Sequence, residues 1–151
     1  MTTIAWDGKT LAADRRQIFG SNKSQATTKI VLHPNLIVGA SGGFAAAQAM
    51  LRWVAEGCRA VDFPPSQSGD NWARTIVVNR HSHKVYIYED APIAIEITSN
   101  HYAMGSGCEY ALGAMAAGAN ARDAVSIAGF FDPQTGDGVD SFSLENATPS
   151  C

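Results

Sequence analysis

The chain has 151 residues, 46% of them hydrophobic and 17% charged, so it can bury a core and is too apolar to stay disordered. Eleven basic residues against fourteen acidic ones leave a net charge of −3, which argues against a nucleic-acid footprint. No run approaches the ~20 apolar residues that a membrane span needs. The opening residues have neither a basic n-region nor an apolar h-region, and Cys58, Cys108 and Cys151 fit neither a disulfide framework nor a zinc site. The expectation is a cytoplasmic chain with reduced thiols, folded as one domain over 1–151.

In chain order, Thr2 to Trp6 and Thr10 to Asp14 are strand-prone runs around Asp7-Gly8, a hairpin signal. A polar stretch from Arg15 to Thr28 follows, with no element assigned. Ile30 to Leu32 and Leu36 to Ala40 flank the turn His33-Pro34-Asn35 and read as a second hairpin. Phe44 to Cys58 changes to a helical pattern, with Met50, Leu51 and Val54 on one face. Asp62 to Asp70, with Pro64-Pro65, is a loop. Strands resume at Thr75 to Asn79, Val85 to Tyr88, Ile93 to Ile97 and Tyr102 to Met104. Helices are expected at Glu109 to Ala117 and Ala121 to Phe130, the second N-capped by Asn120. Val139 to Leu144 closes as a strand before a frayed tail. Consecutive hairpins with helices between them imply an α+β layered sandwich of antiparallel sheets.

Four features of this order bear on chemistry. Thr2 stands behind the initiator Met1, and its small size favours removal of the methionine. The exposed α-amine, with a pKa of roughly 7.7–8.0, could serve as general base for the hydroxyl of the same residue. Asp14 ends the second strand and returns towards Thr2, while Lys29 opens the next apolar run. A lysine near the amine lowers its pKa by like-charge repulsion, and an aspartate beside the lysine keeps it charged. Gly42-Gly43 lies between a strand and a helix, where unpaired N–H groups suit an oxyanion and a missing Cβ admits close approach. Gly105-Ser106-Gly107 is a second such turn, in which Ser106 and Glu109 have the spacing of a capping box.

Together these residues resemble the catalytic subunit of the proteasome family and, within it, the bacterial HslV peptidase. The anchor points are Thr2-Thr3-Ile4, Ala13-Asp14, Thr28-Lys29-Ile30, Ser41-Gly42-Gly43, Met104-Gly105-Ser106-Gly107 and Asp132-Pro133-Gln134-Thr135-Gly136. No single motif is specific; the ordered set from residue 2 onward is more so. The resemblance implies an N-terminal nucleophile hydrolase with a four-layer αββα sandwich. Thr2 would be the nucleophile and base, Asp14 and Lys29 the tuning pair, and Gly42 the oxyanion donor. Ser106, Asp132 and Thr135 would support the amine. The implied reaction is peptide-bond hydrolysis through an acyl-enzyme on Thr2, without metal or organic cofactor. The implied partners are an unfolded polypeptide or peptide substrate, further copies in a homo-oligomeric ring, and an ATPase unfoldase; neither nucleic acid nor membrane is expected. An amidase for small acyl compounds and a non-catalytic assembly protein are the rival readings.

Two departures stand out. The span Val61 to Trp72 is short and proline-broken, which predicts a shortened helical layer. Ala46 stands where the family often has an aspartate. Of the remaining signals, His81-Ser82-His83 reads as an exposed polar turn, Cys108 as a small buried cysteine near the site, and Trp6, Trp53 and Trp72 as core or interface residues.

Overall fold

A computed structural model describes residues 2–20, 23–64 and 72–144. Met1, the proline-rich loop beyond Pro64 and the tail expected to fray lie outside the described residues. The first hairpin forms as expected. β1 (Thr3–Trp6) pairs antiparallel with β2 (Thr10–Asp14). Asp7 shapes the turn, its Oδ1 accepting hydrogen bonds from the Lys9 and Thr10 N–H groups, while Gly8 supplies a φ of +100°.

The polar stretch that carried no expectation is a hairpin of its own. β3 (Arg16–Phe19) pairs with β4 (Lys23–Ala26) as a separate two-stranded sheet. Its polar residues lack the apolar alternation by which a half-buried strand is recognised. β5 (Ile30–Leu32) and β6 (Leu36–Gly42) form the expected second hairpin. Then come α1 (Phe44–Ala55), a single 3-10 turn at Ala60–Asp62, β7 (Ala73–Asn79) and β8 (Val85–Tyr88). β9 (Ile95–Ile97), β10 (Tyr102–Gly105), α2 (Cys108–Ala116), α3 (Ala121–Phe131) and β11 (Val139–Ser143) complete the order. Between α1 and β7 the described residues hold no second helix.

Two larger antiparallel sheets result, one in the order β10-β1-β2-β11 and the other β5-β6-β7-β8-β9. Side chains alternate across a strand, so each sheet has two separate faces to bury. From the first sheet, Ile4, Trp6, Leu11, Ala13 and Met104 pack in one cluster with Ile30, Ile37, Ile76 and Ile87 of the second. The alternate residues Ala5, Ala12 and Ala103 pack instead against Ala111, Met115, Ala124, Val125 and Ala128 of α2 and α3. Val38, Ala40 and Val77 of the second sheet meet Met50, Trp53 and Val54 of α1. Alanines on both partners let α2 and α3 approach the first sheet closely.

Helix caps split the sequence expectations. Asn120 caps α3, accepting a hydrogen bond from the Asp123 N–H at 2.8 Å. The capping-box spacing of Ser106 and Glu109 goes unused: α2 is preceded by Gly107 and has no side-chain cap. The Ser106 hydroxyl is drawn to a carboxylate instead.

The glycines of this turn are set by close backbone approach. Gly105 pairs with Thr3 and adopts φ +94°, and a Cβ there would collide with the Thr2 carbonyl. A Cβ on Gly107 would meet the Thr3 hydroxyl. Gly57 has a similar φ of +107° but nothing within 4 Å. Both Gly105→Ala and Gly57→Ala therefore strain the backbone, but only the first also overpacks. Urea denaturation should show Gly105→Ala to be the more destabilising by at least about 1 kcal/mol.

Candidate active site

Strand parity positions the residues around the chain start. Thr2 lies one residue before β1 and lines a cleft of about 240 Å³ together with Lys29, Gly42, Gly43 and Phe44. Thr3 points the other way, towards the loop that follows α3. Two hydrogen-bonded networks meet on this Thr2-Thr3 unit.

The first is centred on Asp14, at the end of β2 and wholly buried. Its Oδ1 accepts from the Thr3 N–H at 3.0 Å and from Lys29 Nζ at 2.9 Å. Its Oδ2 accepts from the N–H groups of Arg16 and Gly136, each at 3.1 Å. Both oxygens are thus paired, as a buried carboxylate requires. Lys29 is buried too, and burial lowers its pKa below the ordinary lysine value. The neighbouring Asp14 charge and hydrogen bond oppose this shift without cancelling it.

The second network is centred on Asp132, just past the end of α3. Its Oδ2 accepts from the Ser106 and Thr135 hydroxyls, both at 2.6 Å, and its Oδ1 from the Gln134 N–H at 3.1 Å. Burial raises the Asp132 pKa, but the hydroxyl and N–H donors outweigh it and hold the group below the ordinary carboxylate value. The Thr135 hydroxyl also lies 2.7 Å from that of Thr3. Since Thr135 gives its one proton to Asp132, the Thr3 hydroxyl must donate to Thr135. A directed chain therefore runs from Thr3 through Thr135 to Asp132.

The structure brings all seven residues singled out in the sequence into these two networks and the cleft. Thr2, Lys29 and Gly42 line the cleft; Asp14 lies behind Lys29; Ser106, Asp132 and Thr135 lie on the far side of Thr3. Gly42 differs from expectation in one respect. It is the last residue of β6, at φ +147°, and a Cβ would lie 2.5 Å from the Trp72 carbonyl oxygen. The adjoining strand alone is therefore enough to require glycine there. Sequence reasoning missed Arg16, whose backbone N–H completes Asp14 and whose guanidinium reaches the loop after α3. No local signal marks it, because that loop lies more than a hundred residues away.

No protein-family model and no curated protein matches the sequence. Among solved structures, BPH from Thiobacillus denitrificans in complex with epoxomicin is similar at a TM-score of 0.69 and 22% identity, covering 95% of this chain and 99% of that one. HslV from Trypanosoma brucei is similar at a TM-score of 0.69 and 19% identity, covering 93% and 98%. BPH by itself gives a TM-score of 0.67 at 22% identity, covering 99% of each chain. The chain thus has the fold of HslV-type proteins, the family whose ordered motifs its sequence resembles. No described helix is long and apolar enough to cross a membrane.

The Asp14 carboxylate is the most demanding feature of the site. Asp14→Asn sets an amide NH₂ against the N–H donors on one side of the group and leaves Lys29 without its counter-charge. Breaking a buried pair in this way costs about 3–5 kcal/mol. Chemical denaturation of the variant should show a loss of that size, whereas Asp137→Asn at the exposed loop should cost far less.

Proposed function

We propose that the chain is an N-terminal threonine peptidase of the HslV and proteasome type. It works as one domain with four layers, a helical layer outside each of two facing sheets. In this reading Met1, which lies outside the described residues, is removed, and the α-amine of Thr2 becomes free. The amine accepts the proton of the Thr2 hydroxyl as Oγ1 attacks a peptide carbonyl carbon. The Gly42 N–H stabilises the tetrahedral oxyanion, a contribution worth roughly 10²–10³ in rate. Collapse of that intermediate breaks the C–N bond, the amine returns the proton to the departing nitrogen, and an acyl ester remains on Thr2. Water hydrolyses the ester by the same proton route.

Lys29, kept charged by Asp14, disfavours protonation of the nearby amine and so leaves it able to act as a base. Ser106, Asp132 and Thr135 hold the Thr3 side of the first strand and so fix Thr2. The observation that carries this reading is the shared cleft: Thr2, Lys29 and Gly42 line it, and Lys29 is ion-paired to the buried Asp14.

A peptide is favoured over a small acyl compound by the surface beside that cleft. Phe44, Gln48 and Leu51 line both the cleft and a groove of about 720 Å³ along the outer side of α1. An extended chain could occupy both. Exposed Phe130 and Phe131, side by side at the end of α3, support assembly with further copies into a ring. An unfolded polypeptide delivered by an ATPase unfoldase is the substrate this arrangement would suit.

Thr2→Ala should abolish hydrolysis of a fluorogenic peptide, and intact-mass measurement should find Met1 absent from the active protein. Undiminished turnover by Thr2→Ala would defeat the mechanism. Lys29→Ala removes a positive charge beside the amine, so the amine pKa rises and more of it is protonated at pH 7. Its rate should fall at neutral pH and recover in part as the pH is raised past about 8; an unchanged pH–rate profile means that Lys29 does not tune the amine.

A further inference from the structure

Arg16, which opens β3, has no part in the chemistry above, yet its side chain ties the loop after α3 together. The guanidinium Nη1 donates to the Pro133 carbonyl at 2.7 Å. Nε and Nη2 donate to the two oxygens of Asp137, each at 3.3 Å. Between these anchors the guanidinium lies against Gly136, where a Cβ would come within 2.7 Å of Nη2, so a side chain there would push the guanidinium aside.

The clamped segment carries one non-glycine residue in the left-handed region, Asp137 at φ +62°, beside Gly138 at φ +102°, which glycine adopts without strain. A two-pronged ion pair holds Asp137 better than a point charge could, because the planar fork fixes orientation as well as distance. The segment it holds contains Asp132, the Thr135 hydroxyl and the Gly136 N–H. These groups reach Ser106, Thr3 and Asp14 respectively. The backbone N–H of Arg16 itself lies on the same Asp14 oxygen as that of Gly136. Arg16 thus ties the corner that carries the Asp14 network to the loop that carries the Asp132 network.

We propose that Arg16 is a positioning residue: its fork on Pro133 and Asp137 sets the loop that aligns Thr2 through Asp14 and Thr3. The assignment rests on the peptidase reading and deepens it. Displacement of a reacting group by about an ångström from a remote change can lower the rate about a hundredfold. The expected signature is therefore a loss in kcat without a matching rise in KM. Arg16 also lines the cleft with Thr2, and a direct contact with substrate would give the opposite split.

The test is steady-state hydrolysis of one fluorogenic peptide by the full chain and its Arg16→Lys, Arg16→Gln, Asp137→Ala and Thr2→Ala variants. Assays run well below each melting temperature. Arg16→Lys keeps the charge and loses the fork; it should lower kcat by about tenfold to a hundredfold with KM within about twofold. Asp137→Ala, which removes only the partner at the surface, should lower kcat in the same direction, and the double variant Arg16→Gln/Asp137→Ala should be no worse than Arg16→Gln alone. An unchanged kcat in Arg16→Lys overturns the proposal, as does a rise confined to KM. So does a loss in kcat that only follows the loss of folded protein. If Thr2→Ala remains active, the peptidase mechanism itself fails; if Thr2→Ala is inactive while the Arg16 and Asp137 variants match the parent, only the positioning role is lost.

Discussion

A carboxylate removed from water is stable only when every strong lone-pair direction finds a donor, and Asp14 meets that condition with four. The donors come from four separate pieces of chain: the start of β1, the corner between β2 and β3, the entry to β5 and the loop after α3. Each piece must be in place before the charge can be buried without a large desolvation cost. The fold and the site therefore share one constraint, since the ion pair with Lys29 that shapes the cleft also locks these segments against one another.

The same economy of space governs the turn at Gly105-Ser106-Gly107. Two glycines there allow the Thr2 carbonyl and the Thr3 hydroxyl to lie where side chains would otherwise stand. The serine between them is consequently left facing Asp132 rather than its own helix. Thr2 and Thr3 are held on opposite faces of one strand by chemically different means. One is presented to an open cleft beside a lysine; the other is fastened through hydroxyls to a carboxylate. Rigidity on the second face fixes where the first presents its side chain.

Much of the architecture was legible in the sequence. The Asp7-Gly8 and His33-Pro34-Asn35 turns, the Phe44 helix and the Asn120 cap are local signals that read correctly because turn chemistry and side-chain periodicity act over a few residues. The β3–β4 hairpin was not legible: Lys23 to Ala26 is exposed along its whole length, so no buried face imposed an alternating pattern. Ser106 and Glu109 have capping spacing, but the Ser106 hydroxyl is turned to donate to a carboxylate more than twenty residues away and makes no cap bond to its own helix. Gly42 reads from the sequence as an oxyanion donor or as a glycine required sterically, and the chain packed beside it accounts for the missing side chain.

By itself, then, the sequence determined the order of the main strands and helices apart from the β3–β4 hairpin, the hairpin turns, and a set of residue types capable of acid, base and nucleophile chemistry. Those depend on local conformation and intrinsic pKa. Only the tertiary structure decided which of them share an atom: that Asp14 holds both Lys29 and Gly136, that the Thr3 hydroxyl reaches Asp132 through Thr135, and that Arg16 closes the loop around them. Hydrogen-bond partners separated by more than a hundred residues are chosen by how the sheets and helices pack, and no local pattern records that choice.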